Sequence, residues 1–368
     1  MKILVTGADG FIGKTLRVRL AEEGDFEVDV FTRADDVSAL HAKVAAVDAV
    51  VHLAGENRPA DPAAFMAVNG DLTAALCNAI RAAGRPIPLI FTSSIQAERD
   101  NPYGTSKRAG EDVVERLADE PRQSCAIFRL PNIFGKWCRP NYNSVVATFC
   151  HNIARGEAIH VDDPSAPLSL VYVDDVANGL IAALRAPRAG LCWGVIDPVY
   201  QTTVGEIADL LYAFRDSRDT LITERVGTGL VRALYSTYVS NLPTESFSYR
   251  VPVHGDQRGV FVEMLKTTDS GQFSFFTAHP GIKRGGHYHH SKTEKFLVIK
   301  GHARFGFRHI LTDEYHSLDT SGEEPRIVET VPGWSHDITN IGDDEMVVML
   351  WANEIFDRER PDTIARSV

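Results

Sequence analysis

The 368-residue sequence predicts a doubly wound α/β sheet over its first part and an all-β barrel over its last. Two observations carry this. From Met1 to about Leu184, short β-branched or apolar runs alternate with longer amphipathic stretches, the pattern of parallel strands joined by helices. From 247 to 351, strand-length runs are separated by Gly, Pro, Asp or Asn turns. A chain of this length also exceeds one ordinary domain and suits two, each with its own core.

In chain order, the first part offers strands at Lys2–Thr6, Glu27–Thr32, Ala49–Leu53, Pro88–Thr92 and Ser124–Leu130. Roughly 205–243 has helical spacing and ends at Asn241-Leu242-Pro243, which sets the boundary: domains 1–243 and 244–368. The second part reads FSYRVPV, GVFVEML, QFSFFTA, KFLVIKG, ARFGFRHI, RIVETVP and EMVVMLW as its strands. No internal repeat or low-complexity tract is visible.

Composition narrows the classes. With 44% hydrophobic and 24% charged residues the chain reads as globular. The formal charge of 38 − 49 = −11 argues against a nucleic-acid surface, which needs concentrated Lys and Arg. No run approaches the roughly 18 apolar residues of a membrane span, and MKILVTG enters a strand directly, so no membrane association and a cytoplasmic location are expected. The five cysteines are scattered and form no C-x-x-C pair, which suggests neither a disulfide framework nor a thiolate metal site.

The first chemical motif is Gly7-Ala-Asp-Gly10-Phe11-Ile12-Gly13, after a strand and opening a helix. Gly7 permits the tight turn, Gly10 clears the phosphate path, and Gly13 lets helix and strand pack closely, while the helix N-terminal amides meet a pyrophosphate. This is the Rossmann fingerprint. The second strand ends Val30-Phe31-Thr32-Arg33, where an arginine suits the 2′-phosphate of NADPH; Asp29 is the competing acid that would hold an NAD ribose.

Tyr103 and Lys107 stand four residues apart, on one helix face. A cation beside a phenol favours its ionised form, so Lys107 is expected to help Tyr103 exchange a proton. Ser93-Ser94 end a preceding strand, and Ser94 is the candidate to hold a substrate carbonyl oxygen.

With Val50-Val-His-Leu53-Ala54-Gly55, Asn69, Arg129-Leu-Pro-Asn-Ile-Phe-Gly135 and Val173-Asp-Asp-Val176, this set resembles the extended short-chain dehydrogenases/reductases over about 1–240. The resemblance implies that Leu53 and Ala54 join the glycines at the cofactor, that Ser94, Tyr103 and Lys107 are catalytic, and that Pro131–Arg139 line a sugar-nucleotide cleft. One departure is the interval from Ser94 to Tyr103, shorter than is usual there.

Gly281-x5-His287-x-His289-x4-Glu294-x6-Gly301 supplies imidazoles and a carboxylate near a strand. His287 and His289 share a strand face by alternation, and Pro332-Gly333-Trp-Ser-His336 adds another imidazole; His290 is the alternative first-motif ligand. A nitrogen and oxygen set suits Zn, Fe, Mn or Ni, zinc being the choice for non-redox chemistry. The two motifs resemble those of cupins, although Pro332 and Gly333 are adjacent where the second motif has one residue between them. Asp256-Gln-Arg-Gly259 further resembles the entry strand of cupins that epimerise 4-keto-6-deoxy nucleotide sugars. In those metal-free relatives the histidine matching His287 is the base, which conflicts with its being a ligand and leaves His302, His254 and Tyr288 as base candidates.

The fusion as a whole resembles the bifunctional capsular-polysaccharide enzymes of the UDP-N-acetyl-L-fucosamine pathway. That implies a UDP-2-acetamido-2,6-dideoxy-4-hexulose, epimerised at C3 by the barrel and reduced at C4 with NADPH to UDP-N-acetyl-L-talosamine. A reductase with a merely structural or dimerising barrel, and a sensor that binds without turnover, are the alternatives. Apolar runs around Phe273–Phe276 suggest edge-strand pairing into a homodimer.

Overall fold

The strand Lys2–Thr6 pairs in parallel with Glu27–Phe31 on one side and Ala49–His52 on the other. Leu89–Ser94, Ser124–Leu130 and Gly190–Gly194 extend the sheet beyond Ala49–His52, all parallel. Both faces are covered, so alternate residues of one strand enter different cores. Leu4, Val50, Phe91 and Ile127 pack under Leu76, Ile80, Val114 and Leu117, while Ile3, Val5, Val51 and Ile90 pack against Leu16, Leu20, Val176 and Leu180. That two-sided burial explains the continuous apolar runs.

The chain leaves the first strand in one direction for Glu27–Phe31 and returns across it to Ala49–His52, so the topological switch lies at the carboxyl ends of Lys2–Thr6 and Ala49–His52. A crevice at such a point is where doubly wound sheets bind ligands.

The computed structural model describes residues 1–290, 292–359 and 361–368. These form two units: Met1–Leu211 with Arg232–Pro243, and Tyr212–Val231 with Thr244–Val368. Residue 243 is where the chain finally leaves the first unit, but 212–231, read as part of a helical stretch, counts with the second and carries a short strand, Ile222–Thr223, on Gly259–Thr267. The sixth strand, Gly190–Gly194, was not anticipated, since as an edge it leaves Trp193 and Leu191 exposed.

One helical run, Ala63–Ala82, is long and apolar enough to cross a membrane by length and composition, which the sequence reading did not foresee. Its Leu76, Cys77, Ala79 and Ile80 belong to the core of the first unit, which accounts for the apolar composition without a bilayer.

The second unit is two sheets, antiparallel throughout except where Ile222–Thr223 pairs in parallel with Gly259–Thr267. One orders Ile222–Thr223, Gly259–Thr267, Gly271–Ala278, Met346–Ala352, Glu294–Lys300 and Ile327–Glu329, with Val253–Asp256 also on Gly259–Thr267; the other orders Tyr315–Ser321, His302–His309, Trp334–Asn340, Lys283–Tyr288 and Ile364–Ala365. Phe276, Phe296, Val298, Phe305, Ile338 and Val348 fill the space between them. The predicted fold class, parallel α/β followed by an all-β double-sheet domain, is therefore the fold of the chain.

Two expectations need correcting. Residues 247–252 are not a strand; pairing starts at Val253. Nor is Phe273–Phe276 an edge, because Gly271–Ala278 is bonded on both sides, to Gly259–Thr267 and to Met346–Ala352, and Phe276 is core. Alternating aromatics there mark an interior strand.

Candidate functional site

In the first unit the glycine turn is built against the loop after Ala49–His52. Gly7 has φ +66°, and a Cβ on it would lie 2.6 Å from the Ala54 nitrogen and 2.8 Å from the Leu53 carbonyl carbon. A Cβ on Gly13 would meet the Gly7 oxygen at 2.4 Å. Only glycine allows this approach, and it brings Gly7, Gly10, Leu53 and Ala54 together beneath the N-terminus of helix Phe11–Glu23, where Gly10 is the N-cap without a side-chain partner. A cradle of free helix amides and closely packed backbone fits a dinucleotide pyrophosphate.

Arg33 reaches into solvent, its side chain 88% exposed, and its guanidinium donates to the Glu56 carboxylate at 2.9 Å. Asp29 is held by Lys43 at 3.2 Å and by its own strand's Val30 amide. Glu56, which sequence reading missed, also accepts from the Tyr142 hydroxyl at 3.0 Å. Buried Asn69, within an irregular turn of helix, fixes this loop by accepting from the Glu56 amide and donating to its carbonyl, both at 2.9 Å.

Tyr103 and Lys107 lie on helix Pro102–Ala118, capped by Asn101, whose side chain accepts from the Gly104 amide at 2.8 Å. The short interval from Ser94 is bridged by a turn at Ile95–Glu98 that packs directly on the helix; a Cβ on Gly104 would sit 2.2 Å from the Gln96 oxygen. Burial pushes the Tyr103 phenol up, and a hydrogen bond with Ser94 opposes that shift. Lys107 is buried, its ammonium donates to the Thr92 carbonyl at 2.8 Å, and burial brings it down to about 8 against the pull of Glu111. In the free protein, then, Ser94 is the group that favours the phenolate, and Lys107 is turned toward the strand end. Ser93 is buried with its hydroxyl unpartnered, whereas Ser94 accepts from the Gln96 amide.

His52, in the third-strand motif, is structural. Thr6 and Thr73 hydroxyls satisfy its two ring nitrogens at 2.6 and 2.9 Å, and burial lowers it to about 3, so it is neutral. In the proposed sugar-nucleotide segment Lys136 pairs with Asp174 at 2.5 Å.

In the second unit the ligand atoms of His287, His289, Glu294 and His336 lie within 4.8 Å of one another. Lys283–Tyr288 and Trp334–Asn340 pair so that His287 faces His336, and Glu294 opens the strand Glu294–Lys300. His289 lies just past its strand and is buried with the cluster, whereas His290 is exposed and stands against Tyr288.

The donor set fits a divalent cation. Neither ring nitrogen of buried His336 has a hydrogen-bond partner, although its Nε2 is 3.5 Å from Glu294 Oε2; His289 Nε2 is 3.2 Å from the same oxygen. Lys292, absent from the sequence reading, holds the other carboxylate oxygen at 2.9 Å, leaving Oε2 for a ligand. Burial would raise Glu294, but His289, His336 and Lys292 outweigh it and hold the carboxyl far below its ordinary range. Burial, then His336, lowers His287 to about 4. Unprotonated imidazoles and an ionised carboxylate are what a metal requires.

Beside the cluster is a cavity of about 170 Å³, walled by Phe261, Phe276 and Leu350, with Arg284, His287 and Asp337 on its polar side. Tyr288, His254 and His302, the remaining base candidates, do not line it, and His254 and His302 are exposed. Asp337, which the sequence reading missed, lines it while paired with Lys283 at 2.8 Å.

Residues 3–196 match the NAD dependent epimerase/dehydratase family, and 254–364 match the polysaccharide biosynthesis C-terminal domain. A Pseudomonas aeruginosa protein named UDP-2-acetamido-2,6-beta-L-arabino-hexul-4-ose reductase is 60% identical over 368 residues, all of this chain and 99% of that one. The capsular polysaccharide assembling protein CapF of Staphylococcus aureus has a structure that matches at TM-score 0.91 and 40% identity over both full chains. Thermus thermophilus UDP-glucose 4-epimerase, solved with NAD, shares the fold at TM-score 0.54 and 20% identity, over 66% of this chain and 99% of that one. By the match over 3–196 and by its full-length relative, the chain belongs to the NAD dependent epimerase/dehydratase family.

Proposed function

We propose that the first unit reduces the C4 ketone of a UDP-2-acetamido-2,6-dideoxy-4-hexulose with NADPH. The second unit, a cupin holding zinc through His287, His289, Glu294 and His336, epimerises the same sugar at C3. The product is UDP-N-acetyl-L-talosamine. The observation that carries this reading is the full-length, 60% identity to a protein named as a reductase of a UDP-linked hexul-4-ose.

The residues have distinct tasks. Tyr103 holds the proton that goes to the C4 oxygen, and Ser94, already bonded to that phenol, orients the oxygen. Lys107 keeps a positive charge at the strand end. NADPH, when bound over Gly7, Gly10, Phe11, Ile12 and Gly13 and beside Leu53 and Ala54, supplies the hydride. Arg33 would exchange its Glu56 partner for the 2′-phosphate. In the barrel, a cation on the four ligands would supply Lewis acidity toward an enolate oxygen. A C3 proton is acidic only beside a C4 ketone, so epimerisation precedes reduction. The chain is further proposed to work in the cytoplasm as a homodimer, with a UDP-sugar as its small-molecule partner.

The test is incubation with NADPH and candidate UDP-4-keto-sugars, following NADPH absorbance and uptake of solvent deuterium at C3. NADPH consumption without deuterium uptake would leave the reductase and remove the epimerase.

A further inference from the structure

The short strand Ile364–Ala365 pairs antiparallel with the strand carrying His287, Ala365 opposite His287 and Ile364 opposite Tyr288. Around it, the same segment grips the ligand loop. The Asp362 carboxylate accepts from the amides of His290 at 2.9 Å and Lys292 at 2.8 Å, and the Asp362 carbonyl accepts from Nδ1 of His289. The Arg366 amide donates to the Gly286 carbonyl at 2.9 Å, and the Arg366 carbonyl accepts from the hydroxyl of Ser335, the neighbour of His336.

A carbonyl oxygen only accepts, so Nδ1 of His289 carries its hydrogen and Nε2 turns a lone pair toward Glu294 Oε2, 3.2 Å away. Two lone pairs so placed repel unless a second proton or a cation lies between them. The same outer contact fixes tautomer and ring angle in metal sites generally.

We propose that Asp362–Arg366 is a positioning segment for a divalent cation. It commits His289 to Nε2 ligation and holds the amides of His290 and Lys292. This rests on the reading of the cluster as a metal centre, and it adds Asp362 as the residue on which the geometry depends.

The test uses the full chain and zinc alone. Zinc affinity is measured by competition with a chromophoric chelator for the unsubstituted protein, Asp362→Ala and Asp362→Asn, alongside the melting temperature of each metal-free protein. Asp362→Ala removes the carboxylate's hold on the His290 and Lys292 amides and keeps the carbonyl at His289, so binding is expected to weaken about tenfold, the lower end for an outer contact. Asp362→Asn should recover part of it, because its amide oxygen still accepts one backbone N–H. Nitrogen-15 spectra of histidine in the zinc-loaded, unsubstituted chain should show His289 protonated at Nδ1 and shifted by zinc at Nε2. Unchanged affinity in Asp362→Ala would overturn the proposal, as would a loss matched by a lower melting temperature without rescue by Asn. Zinc on Nδ1 of His289 would overturn it even if both variants failed to fold. Absence of zinc binding in the unsubstituted protein would remove the metal centre itself, and the positioning role with it.

Discussion

Each unit buries a histidine beside its candidate site, and the two are satisfied in opposite ways. His52 has a threonine hydroxyl on each ring nitrogen, while His336 has a hydrogen-bond partner on neither and looks toward a carboxylate 3.5 Å away. A buried polar atom left unpaired costs on the order of 1–3 kcal/mol, so the fold tolerates His336 only where something else meets it. The difference separates scaffold from site. In the first unit the chemistry is shaped by backbone, with glycines admitting a ligand to helix amides. In the second it would be shaped by side chains, three from the local stretch His287 to Glu294 and one, His336, from a strand distant in sequence.

The largest expected effect tests the first unit. Tyr103→Phe removes the proposed proton donor and leaves the glycine turn intact, so NADPH oxidation should fall by about 10²- to 10⁴-fold, with cofactor binding by fluorescence titration preserved. Normal turnover would remove Tyr103 from the chemistry.

The second unit should break independently. His287→Asn is expected to lower metal affinity beyond the roughly 10- to 100-fold of an outer contact and to stop deuterium entering C3. NADPH oxidation should continue when the already epimerised ketone is supplied. Exchange at the normal rate in this folded, metal-free variant would remove both the cation and His287 from the chemistry and return the task to another group on the cavity, such as Asp337.

The histidine contrast itself has a pH signature. Folded His52 titrates near 3 because of burial, against 6.5 ordinarily, so between those values the unfolded chain binds the extra proton. Stability is full above pH 6.5 and drains as pH falls through the window, by about 3 kcal/mol near pH 4. Acid unfolding of His52→Gln should be correspondingly flatter, and equal slopes would assign the acid lability elsewhere.

The smallest effect concerns cofactor choice. Arg33→Ala should weaken NADPH by about tenfold, the scale of one charge-assisted contact, and leave NADH nearly unchanged, because the exposed Arg33–Glu56 pair contributes little by itself. Equal weakening of both cofactors would show that Arg33 does not read the 2′-phosphate.

Much of this was legible in sequence where a residue type is forced by geometry. Gly7 and Gly13 are readable because any Cβ there would strike backbone, and His287, His289 and Glu294 because ligand spacing is local. Phe273–Phe276 misled because aromatic alternation reports a pleated, packed surface and not which edge is paired. Glu56, Lys292 and Asp337 were missed since a charge is ordinarily solvated, and only the fold shows Glu56 on Arg33, Lys292 on Glu294 and Asp337 on the cavity. Asp362 had no signal at all: its partners His289, His290 and Lys292 lie some seventy positions earlier.

The allotment of 212–231 to the second unit means that the chain passes from one unit to the other three times, after 211, 231 and 243. The two units are therefore not consecutive along the chain. A gene cut at codon 243 would release a first half still carrying Ile222–Thr223, torn from its partner strand Gly259–Thr267, and a barrel missing that edge. Stand-alone expression of the first unit would need 211 rejoined to 232. Exchange of either module between relatives would have to move two stretches of gene together.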